Sequence, residues 1–73
     1  MIAYDGVHLV ATTLKELHAY ANVIGLKRCW FEGLRKGHPH YDVPKYLQLT
    51  VDCDSRVQKA DHKTILYISK NCK

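Results

Sequence analysis

Residues 38–42 read His-Pro-His-Tyr-Asp, two imidazoles, a phenol and a carboxylate gathered around one proline. Proline pushes the residue before it to extended backbone, so His38 is expected to be extended. If the extension continues, His38, His40 and Asp42 share one face while Tyr41 and the Pro39 ring share the other. Three chemistries suit that first face. Two neutral imidazoles and a carboxylate match the ligand set of several catalytic divalent-metal sites. A histidine titrating near pH ~6.5 can transfer protons in hydrolysis of a phosphate ester or glycosidic bond, while Arg28, Arg35 or Lys45 holds the anion. The third needs no reaction: imidazole and guanidinium donors grip a phosphate, and Trp30 or Tyr41 stacks on a base. Against all three stands a structural role, in which Asp42 anchors the loop by accepting backbone N–H bonds.

Charge favours an anionic ligand. Eleven Lys and Arg stand against seven Asp and Glu, a net charge of +4. The surplus is local: from 27 to 45, Lys27, Arg28, Arg35, Lys36 and Lys45 face only Glu32 and Asp42. A total of +4 supports few phosphate contacts, which disfavours nucleic acid as the partner and points to a small phosphorylated ligand.

Seventy-three residues make one domain, 1–73, with a thin core, since a chain of this size buries only about 60% of its unfolded surface. Cys29, Cys53 and Cys72 are odd in number and lack C-x-x-C spacing, so neither a disulfide framework nor a structural zinc site supplements that core. Homo-oligomerisation is the remaining expectation. No signal segment and no long apolar run appears, so the chain reads as cytoplasmic with no membrane partner. No motif calls for a cofactor.

The elements that must position these groups follow from periodicity. Ile2–Tyr4 and Val7–Ala11 flank Asp5-Gly6, a hairpin turn pair, and on the second run His8 and Val10 share one face. Thr13 with Glu16 three residues later starts a helix over 14–24 that Gly25 stops. Leu14, Leu17, Ala21 and Ile24 form its stripe, which leaves His18 at the edge of the core. Residues 27–32 read as a strand carrying Trp30. Alternating Leu47, Leu49 and Val51 predict a strand over 45–52, with a short helix from Pro44 as the alternative. Ser55 caps one or two helical turns through Ala60, residues 64–69 form a last strand by β-propensity, and the final three residues fray.

The ordered set HLVATTLKELHAYANVIGLKRCWF, then PHYD, resembles a family of small, functionally uncharacterised bacterial and phage proteins with a His-Tyr-Asp motif. The resemblance covers about residues 8–43 and singles out His8, Glu16, His18, Trp30, His40, Tyr41 and Asp42, without implying an activity. After Asp42 the chain departs from it, with PKYLQLTVD where a basic helix belongs. The resemblance implies that His8, His18 and His40 meet in one cleft, and it makes phage origin an expectation.

The resulting expectation is an α+β domain, a small mainly antiparallel sheet with one main amphipathic helix. It binds and sequesters a nucleotide or cyclic-nucleotide signal, by analogy with counter-defence sponges. His8, His18, Arg28, Trp30, Arg35, His40, Tyr41 and Asp42 are its ligand-binding residues. The alternative is a small hydrolase or phosphodiesterase using His8, His18 and His40, with or without a metal. A third class is an inhibitor that covers one host protein through a flat surface.

Overall fold

A computed structural model describes residues 1–73. Ile2–Tyr4 (β1) and His8–Ala11 (β2) form the antiparallel hairpin that Asp5-Gly6 predicts, with Tyr4 opposite Leu9 and Gly6 at φ 109°. Leu14–Ile24 (α1) starts where Thr13 Oγ1 accepts the Glu16 N–H at 3.1 Å and stops at Gly25 in the left-handed region. Phe31–Glu32 (β3) and His40–Asp42 (β4) pair antiparallel, and β4 also pairs antiparallel with β2. Val57–Lys59 (β5) closes the sheet, parallel to β1. The strand order is β3-β4-β2-β1-β5, an α+β arrangement with a mixed, mainly antiparallel sheet.

Three helices accompany that sheet, not one main helix. Residues 45–52 form α2, Lys45–Asp52, where strand was expected. Leu47 and Val51 fit both periods, because i and i+4 lie on one helical face as well as one strand face. Leu49 decides between them, since it is 71% exposed while Val51 is buried. Pro44 precedes the helix at φ −65°, where its missing N–H costs nothing. Residues 64–69 likewise fall within a helix, His62–Lys70 (α3), instead of a strand. Asp61 caps it by accepting the Thr64 N–H at 2.8 Å, and Ile65, Ile68 and Ser69 form its buried stripe. Packing on the sheet overrides the β-propensity of this β-branched run.

Three smaller expectations also change. Arg28–Trp30 is a single 3-10 turn, so Trp30 precedes β3 and does not ride on a strand. Residues 57–59 pair with β1 instead of extending a Ser55-capped helix. The C-terminal residues do not fray, because the Lys73 N–H bonds the Thr12 carbonyl at 3.0 Å and its carbonyl accepts the Leu14 N–H at 2.8 Å.

The sheet separates two cores. On one face Leu9, Ala11, Tyr41 and Val57 pack with Leu17, Tyr20 and Ala21 of α1 and Val51 of α2. On the other, Ala3 and Val10 meet Ile65 and Ile68 of α3. Strand alternation therefore sends successive residues of β2 and β4 to different layers. That division determines which chemistry-bearing residues can meet.

Candidate functional site

His8 lies directly opposite Asp42 in the β2–β4 ladder, and Leu9 opposite Tyr41. His8, His40 and Asp42 consequently project to the α3 side, held on two internal strands of the sheet. Val10, Ile65 and the rings of His8, His38, His40 and His62 line a cavity of about 140 Å³ there. The His8 and His40 rings meet edge to face at 5.3 Å, and His38 stacks on His40 at 5.7 Å.

Asp5, in the hairpin turn, fixes the first imidazole. Its Oδ1 accepts the backbone N–H groups of Val7 at 2.9 Å and His8 at 2.7 Å, while Oδ2 lies 3.1 Å from His8 Nδ1. Burial pushes the Asp5 carboxyl up, but the His8 and Val7 amides and the His8 ring outweigh it and hold it at about 2. A carboxylate only accepts, so His8 carries its proton on Nδ1 and presents Nε2 to the cleft.

The second imidazole is fixed in the same way by backbone. His40 Nδ1 lies 2.9 Å from the His38 carbonyl, another pure acceptor, so His40 also presents Nε2. The 33–38 loop that places this carbonyl is tied by Gly33 O, which accepts the Lys36 and His38 N–H groups at 3.1 and 3.0 Å. Gly33 has φ +84°, and a Cβ there would run into the His38 carbonyl and stand 2.9 Å from His40 Nδ1. Only glycine meets both demands.

Between the two presented nitrogens stands Asp42, its Oδ1 3.5 Å from His40 Nε2 and 3.8 Å from His8 Nε2. Two three-residue groups have the donor types and spacing to hold a metal: His8, His40 and Asp42, and Asp5, His8 and His62. In the second, His62 is 73% exposed and its Nδ1 lies 3.6 Å from Asp5 Oδ2.

Four of the other expected residues, His18, Arg28, Trp30 and Tyr41, occupy the opposite face. Tyr41, buried between His40 and Asp42 in sequence, points toward α1, where its hydroxyl lies 2.6 Å from His18 Nδ1. His18 also meets Phe31 edge to face at 4.6 Å, and the Arg28 guanidinium lies 5.8 Å from the Phe31 ring centroid. Burial and the nearby Arg28 charge lower the His18 pKa, and burial raises that of Tyr41. His18, Arg28 and Tyr41 share a separate cavity of about 210 Å³ with Asn22 and Leu26. Trp30 packs against the α1-side core with Lys27 Nζ 5.6 Å from its ring centroid.

The fold thus brings His8, His40 and Asp42 together and sets Arg35 at the margin, in a hollow of about 430 Å³ whose wall includes His38 and His40. It separates His18, Arg28, Trp30 and Tyr41 from them by the thickness of the sheet. Asp5, Gly33 and His62 do not stand out as site residues in the sequence, whereas His38 does, through the face it shares with His40 and Asp42. The spacing of Asp5 and His8 could have flagged the first, since a turn aspartate reaches the residue that follows the turn. Nothing local could have flagged His62, which arrives on α3 from the far end of the chain.

A family model described as protein of unknown function (DUF4031) matches residues 5–53, two thirds of the chain. The chain belongs to the DUF4031 family. The segment matched to DUF4031 begins at Asp5 and contains His8, Gly33, His38, His40 and Asp42, whereas β5 and α3 with His62 lie beyond it. No curated protein and no solved structure matches the chain. No helix is long and apolar enough to cross a membrane.

Proposed function

We propose that the cleft under α3 binds the phosphoryl group of a small phosphorylated ligand, such as a nucleotide or cyclic nucleotide, and retains it without turnover. The observation that carries this reading is the wall shared by two hollows. The inner one, about 140 Å³ and lined by four imidazoles, suits a phosphoryl group. The outer one, about 430 Å³, holds Phe31, Leu34, Arg35 and Lys36 with one carboxylate, Glu32, and suits a nucleoside beside a net cationic wall. Together they fall within the size range of small-molecule sites. Neither Arg35 nor Lys36 is engaged in an ion pair with a carboxylate, so both charges are available to an anion. In a phage setting, such a protein would act as a sponge for a nucleotide signal.

The protonation of the cleft sets a pH dependence. Neutral His8 and His40 present lone pairs, which do not bind phosphate oxygens. Only the imidazolium forms offer N–H donors at Nε2. Binding of cyclic AMP by the metal-stripped protein is therefore expected to tighten on acidification. Calorimetry at neutral and mildly acidic pH tests this, and Arg35→Ala with Lys36→Ala should weaken it. Constant affinity in the double variant would remove the outer hollow from the reading.

One observation favours hydrolysis as the second reading: no partner engages the His38 ring nitrogens, so this imidazole is free to shuttle a proton beside the ligand. Recovery of the nucleotide intact after long incubation, at one equivalent per chain, supports retention. Turnover in excess of protein that disappears in His40→Ala supports hydrolysis instead.

A further inference from the structure

We propose that His8 Nε2, His40 Nε2 and Asp42 Oδ1 form a centre for a divalent first-row transition cation. The inference goes beyond ligand binding and does not depend on it.

The donors of this cluster are electrostatically mismatched. Both imidazoles spend their Nδ1 protons on pure acceptors, the Asp5 carboxylate and the His38 carbonyl. In their neutral forms, both then turn an unprotonated Nε2 toward an Asp42 oxygen, at 3.8 and 3.5 Å. Three lone-pair donors therefore converge with no hydrogen between them. Such an arrangement of lone pairs is repulsive unless a cation stands at its centre.

The distances suit this assignment. Metal–ligand bonds of about 2.0–2.1 Å place donors about 2.8–3.4 Å apart in octahedral or tetrahedral geometry. The separations of the two nitrogens from Asp42 Oδ1 need to close by at most about 1 Å, and all three donors already lie within 4.8 Å of one another. His8 and Asp42 are cross-strand partners, and His40 and Asp42 are alternate residues of one strand, so the closure requires side-chain adjustment alone. A loop would hold such a set loosely, but two hydrogen-bonded strands hold it firmly.

What surrounds the donors matches what metal sites require. Ligating histidines donate their remaining N–H to a carboxylate or backbone carbonyl, which fixes the tautomer and raises basicity. Here each histidine has one such partner, and Asp5 is itself locked by two backbone amides. The competing set, Asp5, His8 and His62, would consume the Asp5–His8 hydrogen bond and recruit an exposed ring with no orienting partner. Two imidazoles and one carboxylate favour zinc, iron, cobalt or nickel over magnesium, which prefers oxygen ligands. Three protein ligands leave coordination positions open toward the imidazole-lined cavity, where water or a phosphoryl oxygen can bind.

The test is zinc titration of the metal-stripped full chain at pH 7.5, followed by native mass spectrometry and calorimetry, with magnesium as control. One zinc per chain is expected, with little response to magnesium. His40→Ala and Asp42→Ala should abolish stoichiometric binding, and Asp5→Asn should weaken it about 10- to 100-fold through the orienting bond. His18→Gln, on the other face of the sheet, should leave it unchanged. Cobalt substitution should give d–d absorption from a low-coordinate N/O site that disappears in His40→Ala. Absence of stoichiometric zinc overturns the assignment, as does binding that survives His40→Ala and Asp42→Ala. Binding abolished by His62→Ala but not by His40→Ala would move the metal to the competing set and also overturn it. Acid-enhanced cyclic AMP binding by the metal-stripped protein would survive any of these failures, so the two proposals fail separately.

Discussion

The Tyr41 hydroxyl meets His18 Nδ1 at 2.6 Å on the α1 side of the sheet, while the residues flanking Tyr41 in sequence, His40 and Asp42, face α3. No other partner accepts the Tyr41 proton, so the phenol donates and His18 is held neutral with its own proton on Nε2. Burial and the Arg28 charge lower the His18 pKa, so the unfolded chain binds more protons than the folded one in the acidic range. This contribution to stability is full above the ordinary imidazole value of about 6.5 and declines as the pH falls below it. Urea denaturation measured across this range should show that decline in the wild type and a flatter profile in His18→Gln. Tyr41→Phe should cost about 1 kcal/mol, the worth of one hydrogen bond.

Asp5 titrates lower. Burial opposes its ionisation, but amide and imidazole hydrogen bonds prevail and place it at about 2, against an ordinary 3.8. A depressed carboxylate stabilises the fold above its unfolded value, and the contribution is lost as the pH drops from about 3.8 through about 2. The amount is on the order of 2 kcal/mol. Asp5→Asn should remove this acid sensitivity, as measured by circular dichroism during acid titration. At neutral pH the same variant should lower stability, because it also frees the His8 ring.

Gly33 should tolerate no side chain. Its positive φ and the closeness of the His38 carbonyl mean that Gly33→Ala must shift the loop that orients His40. A loss of about 1–3 kcal/mol is expected from backbone strain. Zinc affinity should fall with it. Gly37→Ala, where nothing lies within 4 Å of the added Cβ, should pay only the positive-φ penalty and leave zinc affinity intact. The comparison separates loop strain from damage to the centre.

Ile65 anchors the roof of the cleft. It is buried against the sheet face carrying Ala3 and Val10, in a cluster of four residues. Ile65→Ala should cost about 2–5 kcal/mol. The small size of that cluster means the loss should appear first as detachment of α3, read by faster amide exchange over residues 62–70 than over α1. Uniform exchange across both helices would show instead that the two cores unfold as one.

The legible parts of the fold were those that local chemistry decides. Asp5-Gly6 requires a tight turn, Thr13, Glu16 and Gly25 bound one helix, and Pro39 extends His38 so that alternation puts His40 and Asp42 on one face. Each constraint acts within a few residues and needs no partner. The identity of residues 45–52 and 64–69 was not of that kind. Leu47 and Val51 satisfy both periods, and Thr64–Ser69 has strand propensity. Burial of one helical stripe against an existing sheet selected the helix in each case, an energy that exists only once the sheet is there.

The same division governs the site. Sequence alone supplied its residue types, its cationic surroundings and the shared face of His40 and Asp42. Tertiary structure decided that His8 is their cross-strand neighbour, that Asp5 and the His38 carbonyl orient the rings, and that His62 closes the cleft from a helix formed much later in the chain. It also decided that His18, Arg28 and Tyr41 belong to a different chamber. The physical reason is the sheet itself: strand alternation assigns a side chain to one layer or the other, but only pairing register and helix placement determine which side chains share that layer.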